Sequence, residues 1–184
     1  MLRSPSVKKN ISILVLLASC FLLLGGCGYY FPSVYDGPTR TIYMPEWKNR
    51  TSKLGIDITL YKSLSRWFQQ SEAVILTKDK PKADLILAGE IYYIDLPSIA
   101  WAGNTVTTDV KIKIGVRYVL KDLKTGQTLW EVPNEIWTED YPAQTLSTTA
   151  ENEALSIIID DLSERIYIGT LNKIRKENRS KGTP

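Results

Sequence analysis

The sequence predicts an α+β fold in which two helices pack on one face of a mostly antiparallel β-sheet. The first observation is a pair of apolar stripes at helical spacing, one over Ile56–Trp67 and one over Ala154–Leu171. The second is a set of three long runs between these stripes, with connections so short that the strands must form antiparallel hairpins. The predicted order is β-α-(β)-β-β-β-α, which suits two helices covering one side of a sheet.

Turn residues and periodicity place the individual elements. A first strand is predicted over 40–44, and Thr51 or Ser52 is positioned to cap the helix that follows. Thr148 and Glu151 form a capping box at the start of the last helix. The other strands are predicted over 73–77, which is short, and over 84–96, 105–120 and 128–141.

The N-terminal segment has the organisation of a lipoprotein signal peptide. Basic residues precede the apolar run Ile11–Leu24, which is shorter than the roughly 20 residues of a transmembrane helix. The run ends in Leu24-Gly25-Gly26-Cys27, a pattern that lipoprotein signal peptidase cleaves. Cys20 stands in a similar pattern but would leave too short an apolar run, so Cys27 is the predicted site of lipid attachment. The alternative is an ordinary secretory signal or a short membrane anchor.

The predicted organisation has four parts. Residues 1–26 form the signal peptide, 27–39 a lipidated tether, 40–172 the α+β domain, and 173–184 a polar C-terminal tail that frays.

Composition argues against several classes of function. The chain has no histidine, and its only mature thiol is Cys27, which excludes Ser/His and Cys/His catalysis and most zinc sites. Lysine and arginine total 23 against 20 acidic residues, and the signal peptide holds three of the basic ones, so the mature part is balanced. A nucleic-acid-binding protein needs a basic excess. We therefore predict no enzyme activity, no metal, no cofactor and no nucleic-acid partner.

A basic stripe lies on the second of the three long strands. Lys111, Lys113 and Arg117 alternate with apolar residues. If Leu120 opposes Thr128 in the hairpin, Arg117 faces Glu131 and Lys113 faces Glu135, and such cross-strand pairs stabilise a sheet. We therefore predict that the stripe mainly stabilises the sheet, with Lys111 the least accounted for. The alternative is a surface that binds the phosphates of an anionic lipid.

The segment 97–104, at the tip of the first long hairpin, is unusually apolar for a loop exposed to water. We predict that Ile99 and Trp101 contact a partner protein or acyl chains. The alternative is that the tip folds back on its own core.

Several motifs together resemble those of the LPS-assembly lipoprotein family, LptE. They occur in order along nearly all of the mature chain: Cys27-Gly28-Tyr29, the loop Pro45–Thr51, the strand entry Ala83–Ile91, the hairpin segment Thr125–Glu131 and the helix start Ala150–Leu155. The resemblance implies a lipoprotein at the periplasmic face of the outer membrane. It would plug the lumen of the LPS-assembly β-barrel, LptD, help that barrel to fold, and contact lipopolysaccharide. The family's two-helix, antiparallel-sheet architecture agrees with the fold predicted above.

This sequence departs from the resemblance at the proposed lipopolysaccharide contacts. Some members place basic residues at the hairpin tip and before the last helix, where this chain has Ala100–Gly103 and Leu146–Thr148. Lys111, Lys121 and Lys124 are the candidates that substitute for them.

Two other functions remain open. One is a periplasmic lipoprotein that regulates another envelope machine such as a peptidoglycan synthase, although the short tether after Cys27 disfavours it. The other is an enzyme that acts on glycans through acidic residues such as Asp57, Asp95 or Asp109, whose spacing gives it no support.

Overall fold

The computed structural model describes residues 38–96, 109–142 and 148–181. Two helices and a six-stranded mixed sheet confirm the predicted α+β class. The strands are β1 (Arg40–Tyr43), β2 (Lys48–Asn49), β3 (Val74–Thr77), β4 (Leu85–Asp95), β5 (Asp109–Asp122) and β6 (Thr128–Pro142). The helices are α1 (Ile56–Gln69) and α2 (Thr148–Lys181), and a 3₁₀ turn covers Lys80–Lys82.

The sheet has the strand order β3-β1-β4-β5-β6. The long strands β4, β5 and β6 pair antiparallel as two consecutive hairpins, and these two ladders contain most of the paired residues. The short strands are parallel: β1 lies between β3 and β4, and β2 pairs further along β4. Helix α1 supplies the crossover that a parallel β1–β3 pair requires.

The core lies between the sheet and the two helices. Helix α1 buries Leu60, Leu64 and Phe68, because residues three or four positions apart share one side of a helix. Tyr167 of α2 packs between the helices, stacked on Trp67 with ring centroids 5.8 Å apart and edge-on to Phe68 at 5.6 Å. The sheet contributes alternate residues from β4 and β5: Leu85, Leu87, Ile112, Ile114, Val116 and Leu120.

Trp47, just before β2, is buried against the centre of the sheet. Its ring lies so close to Gly89 that an added Cβ would stand 2.6 Å from it. The Tyr118 ring completes the contact at a centroid distance of 6.0 Å.

The predicted cap of α1 is wrong. The helix begins at Ile56 after Gly55, which has φ +79°, and no side chain caps it. Thr51 instead belongs to a tight loop in which its hydroxyl donates to Asn49 Oδ1 at 2.7 Å. Asn49 Nδ2 in turn donates to the carbonyl of Lys53 at 2.8 Å. This loop uses the Thr51 hydroxyl, which a cap would have needed.

Helix α2 is longer than predicted. It continues to Lys181, whereas a frayed polar tail was expected from Lys173. Ile174 within this extension is fully buried, and Arg175 and Glu177 are buried beside it. The extension is therefore a packed part of the domain, because its one apolar residue, Ile174, keeps the helical spacing of the stripe that ends at Leu171.

The predicted register of the β5–β6 hairpin is also wrong. Leu120 faces Trp130 rather than Thr128, so the pairs Arg117–Glu131 and Lys113–Glu135 do not form. Two residues of β6, Pro133 and Asn134, stand where β5 has only Arg117. This bulge suits proline, which cannot donate to a strand ladder, and it changes which residues of β6 face the core.

The bulge directs Glu135 toward the helices. Its carboxylate accepts from the Tyr118 hydroxyl at 3.0 Å and pairs with Arg165 Nε of α2 at 3.0 Å. Glu135 therefore helps to hold α2 on the sheet instead of neutralising the basic stripe.

Candidate functional site

The two faces of the sheet differ in what covers them. Residues 112, 114, 116, 118 and 120 of β5 are buried under the helices, whereas Lys111, Arg117 and Lys121 on the opposite side are exposed. Within the described ranges, no helix packs on that opposite side, which we call the outer face.

An ionic cluster lies at the centre of the outer face. Glu90 of β4 accepts a hydrogen bond from Arg50 Nε at 3.0 Å and another from Arg117, its direct neighbour on β5. The carboxylate side chain is only 11% exposed, while those of Arg50 and Arg117 are 59% and 52% exposed. One buried carboxylate thus orients two guanidinium groups at the surface.

The Arg117 guanidinium is also held from a second direction. It lies 5.7 Å from the centre of the Tyr92 ring, a cation–π contact. Tyr92 lies over Gly115, where an added Cβ would stand 2.8 Å from the ring, and its hydroxyl donates to Asn134 at the β6 bulge. The β6 bulge and Gly115, which has no side chain, therefore both determine where the Tyr92 ring lies.

The cluster remains charged. The hydrogen bond from Arg50 is the strongest influence on the pKa of Glu90, and together with Arg117 it outweighs burial, so this pKa is lowered. Two guanidinium groups against one carboxylate leave a net charge of +1. Guanidinium groups fixed in this way are suited to carboxylate or phosphate groups, which they bind through paired N–H donors.

The sequence predicted Arg117 as a sheet-stabilising residue but missed its true partner. A glutamate within the apolar run Leu85–Ile91 was the available signal, because a charged residue in a half-buried strand needs a partner. The partner Arg50 comes from the loop before α1, forty residues earlier. The sequence around Glu90 gives no indication that Arg50 lies beside it.

The three lysines proposed to contact lipopolysaccharide are not brought together. Lys111 pairs with Asp140 at 2.9 Å and Lys124 with Asp84 at 2.6 Å, while Lys121 is exposed and has no ion pair within the described residues. Lys111 and Lys121 lie ten residues apart on β5, which corresponds to about 33 Å. They cannot contact the same phosphate group.

The ion pair of Lys124 belongs to a well-defined structural corner. Burial alone would raise the pKa of Asp84, but hydrogen bonds from Lys124 and from the backbone and hydroxyl of Thr41 lower it to about 2. Asp84 thereby ties β1 to the β5–β6 turn.

Comparison with known families decides the relationship. The model of the LptE lipopolysaccharide-assembly family matches residues 39–168 of the 184. The chain belongs to this family. The match confirms the resemblance drawn from the ordered motifs and spans the strands and most of α2.

Solved structures show a similar fold at low identity. A protein from Xanthomonas campestris has a TM-score of 0.58 at 11% identity, with 83% of this chain and 93% of that chain covered. A hypothetical protein from Chlamydia trachomatis gives 0.53 at 12% identity, covering 74% and 98%. An uncharacterized lipoprotein B from Nitrosomonas europaea gives 0.52 at 16% identity, covering 78% and 89%. No curated protein matches the sequence.

Three of the predicted site residues lie outside the described ranges, namely Cys27, Ile99 and Trp101. Among the residues that are described, no group of three or more histidine, cysteine or acidic side chains could hold a metal ion. None of the described helices is long and apolar enough to cross a membrane.

Proposed function

We propose that this LptE-family chain is an outer-membrane lipoprotein, held at the periplasmic face by lipid on Cys27. It plugs the LPS-assembly β-barrel LptD, helps that barrel to assemble, and assists the insertion of lipopolysaccharide at the cell surface. The role is non-catalytic. The observation that carries this proposal is the family match over residues 39–168, which includes almost the whole folded domain.

The outer face supports a role in binding a partner. It carries the oriented guanidinium groups of Arg50 and Arg117 together with large apolar side chains that are exposed, Ile75 (57%), Tyr93 (40%) and Ile136 (49%). Apolar side chains interleaved with fixed charges are typical of protein interfaces, in which arginine and aromatic residues are enriched.

Contact with lipopolysaccharide is the second part of the proposal. Lys121 is exposed and has no ion pair in the described part of the chain, so its ammonium group is available to a phosphate. Lys111 and Lys124 contribute at separate places, each by exchanging its acidic partner for a phosphate. The hairpin tip, through Ile99 and Trp101, is proposed to contact the barrel or acyl chains.

Affinity purification of the tagged lipoprotein from mild-detergent extracts of its native envelope tests the proposal. We expect a large outer-membrane β-barrel to co-purify in stoichiometric amount, and mass spectrometry to show a cleaved, acylated N-terminus at Cys27. Recovery of a peptidoglycan synthase instead would favour the regulatory alternative. An uncleaved, unmodified N-terminus would contradict the lipid anchor.

A further inference from the structure

A groove with a basic rim lies between α1 and the edge strand β3, away from the outer face of the sheet. Its floor is formed by the partly or fully buried side chains of Met44, Tyr61 and Leu76. Its rim carries Lys62, Arg66 and Lys78. The groove has a volume of about 410 Å³, which is within the range of small-ligand sites. We call it the basic groove.

Positive charge predominates among the side chains that line the basic groove. Of the described residues that line it, three are cationic and none is acidic. Lys62 and Lys78 are exposed and make no ion pair within the described residues, whereas Arg66 is held in place by Asp160. This local excess of positive charge stands out in a mature chain whose basic and acidic residues balance.

The adjoining turn extends the basic surface. Lys80 lies in the 3₁₀ turn just after Lys78 and is exposed. Lys82 is paired with Asp79 at 2.8 Å, so the turn adds one further cation without an ion pair among the described residues. Flexible ammonium groups around an apolar floor suit a layer of phosphate groups above acyl chains, since lysine stems contact apolar surface while their charges stay in the polar layer.

We propose that the basic groove docks the domain on the phosphate groups of anionic glycerophospholipids in the leaflet that holds the lipid anchor. Only eleven residues lead from Cys27 to Pro38, the first described residue, which limits the tether to about 40 Å. The domain therefore stays close to that leaflet. This docking holds the domain on the membrane before a partner takes it up. It rests on lipid attachment at Cys27 and is independent of the barrel-plug role.

The test uses the full, lipidated chain reconstituted in vesicles. Ser65→Cys places a thiol in the wall of the basic groove, where an environment-sensitive fluorophore reports docking. Vesicles contain phosphatidylcholine alone, or rising fractions of phosphatidylglycerol or of lipopolysaccharide. We expect a fluorescence shift with phosphatidylglycerol that is lost at high salt, because ions screen charges at an exposed surface. Failure of the chain to anchor in any vesicle would contradict lipid attachment itself and is separate from failure to dock.

Two double variants distinguish an effect of the basic groove from an effect of the protein's total charge. Each lysine near an anionic surface contributes about 1 kcal/mol, so Lys62→Ala with Lys78→Ala lowers the ratio of docked to undocked domain roughly 25-fold. The matched control is Lys48→Ala with Lys176→Ala, which removes the same charge from exposed positions elsewhere and leaves docking unchanged. Thermal unfolding verifies that both double variants remain folded.

Three results would overturn the proposal. They are equal losses in the two double variants, no loss in either, and a fluorescence shift confined to vesicles that contain lipopolysaccharide.

Discussion

Gly169 of α2 lies against the Trp130 ring of β6. Two opposing effects decide whether Gly169→Ala raises or lowers the free energy of unfolding. A Cβ added at Gly169 would overlap the Trp130 ring, lying 2.6 Å from one of its atoms and closer still to a second. Real Cβ atoms do not approach so closely, so Gly169→Ala must displace the ring or the helix. The ring has little freedom to move, because it packs edge-on against Tyr118 at a centroid distance of 5.0 Å.

The magnitudes predict a net loss of stability. Alanine in a helix interior is favoured over glycine by about 1 kcal/mol. Forcing an extra methyl group into a packed contact costs typically 1–3 kcal/mol. With a clash this severe we expect the upper part of that range, so Gly169→Ala lowers the free energy of unfolding by about 1–2 kcal/mol. Urea denaturation of the purified protein, followed by circular dichroism, measures the change.

A double-mutant cycle tests the reasoning. Trp130→Leu removes the ring, and in that background Gly169→Ala should no longer destabilise and should show the helix preference of alanine instead. The coupling between the two positions is then about 2–3 kcal/mol, which is larger than the few tenths expected of independent sites. Stabilisation by Gly169→Ala alone, or additive effects of the two changes, would refute the account.

Three further predictions concern charged groups. Glu90→Gln leaves two guanidinium groups without their carboxylate and lowers the free energy of unfolding by about 1–2 kcal/mol. This loss is smaller than the loss from breaking a fully buried ion pair, because both arginines reach solvent. Unchanged unfolding in urea would contradict a stabilising role of the cluster. The pKa of Asp84 is lowered from 3.8 to about 2, so its contribution to stability is present above about pH 4 and is lost as the pH falls toward 2. Urea titrations at several pH values should therefore show a weaker acid dependence in Asp84→Asn, and an identical dependence would refute the assignment. Alanine at Lys111, Lys121 or Lys124 should weaken binding of lipopolysaccharide, with the largest single effect at Lys121, which has no ion pair among the described residues. An unchanged affinity would show that these lysines do not bind it.

Features with a local signal were predictable from the sequence. The apolar stripe of α1 gave its position within a few residues, and the Thr125–Gly126 turn gave the β5–β6 hairpin, whose Gly126 has φ +73°. The two-helix layer followed from the second stripe on α2. Each of these depends on residues close together in the chain.

Features set by distant contacts were not predictable in the same way. The register of β5 with β6 depends on the bulge at Pro133. Counting alternating residues along the two strands assumes that no bulge is present, so it gives the wrong register. The Glu90 cluster depends on Arg50, which reaches β4 only because β2 pairs beside it. The extension of α2 was hidden by its charged composition, although Ile174 keeps the helical spacing after Leu171.

The central claim, that the domain occupies the lumen of a β-barrel, is tested most directly by trypsin digestion of the purified complex and of the free lipoprotein. Lys82 and Lys124 lie in exposed turns on the described surface, so the free protein should be cleaved at both. A domain enclosed by the barrel should be cleaved far more slowly at least at one of the two, with full cleavage restored once the complex is dissociated. Cleavage of both sites in the intact complex at the rate of the free protein would contradict the plug role and would leave a lipoprotein that only attaches to the barrel's exterior.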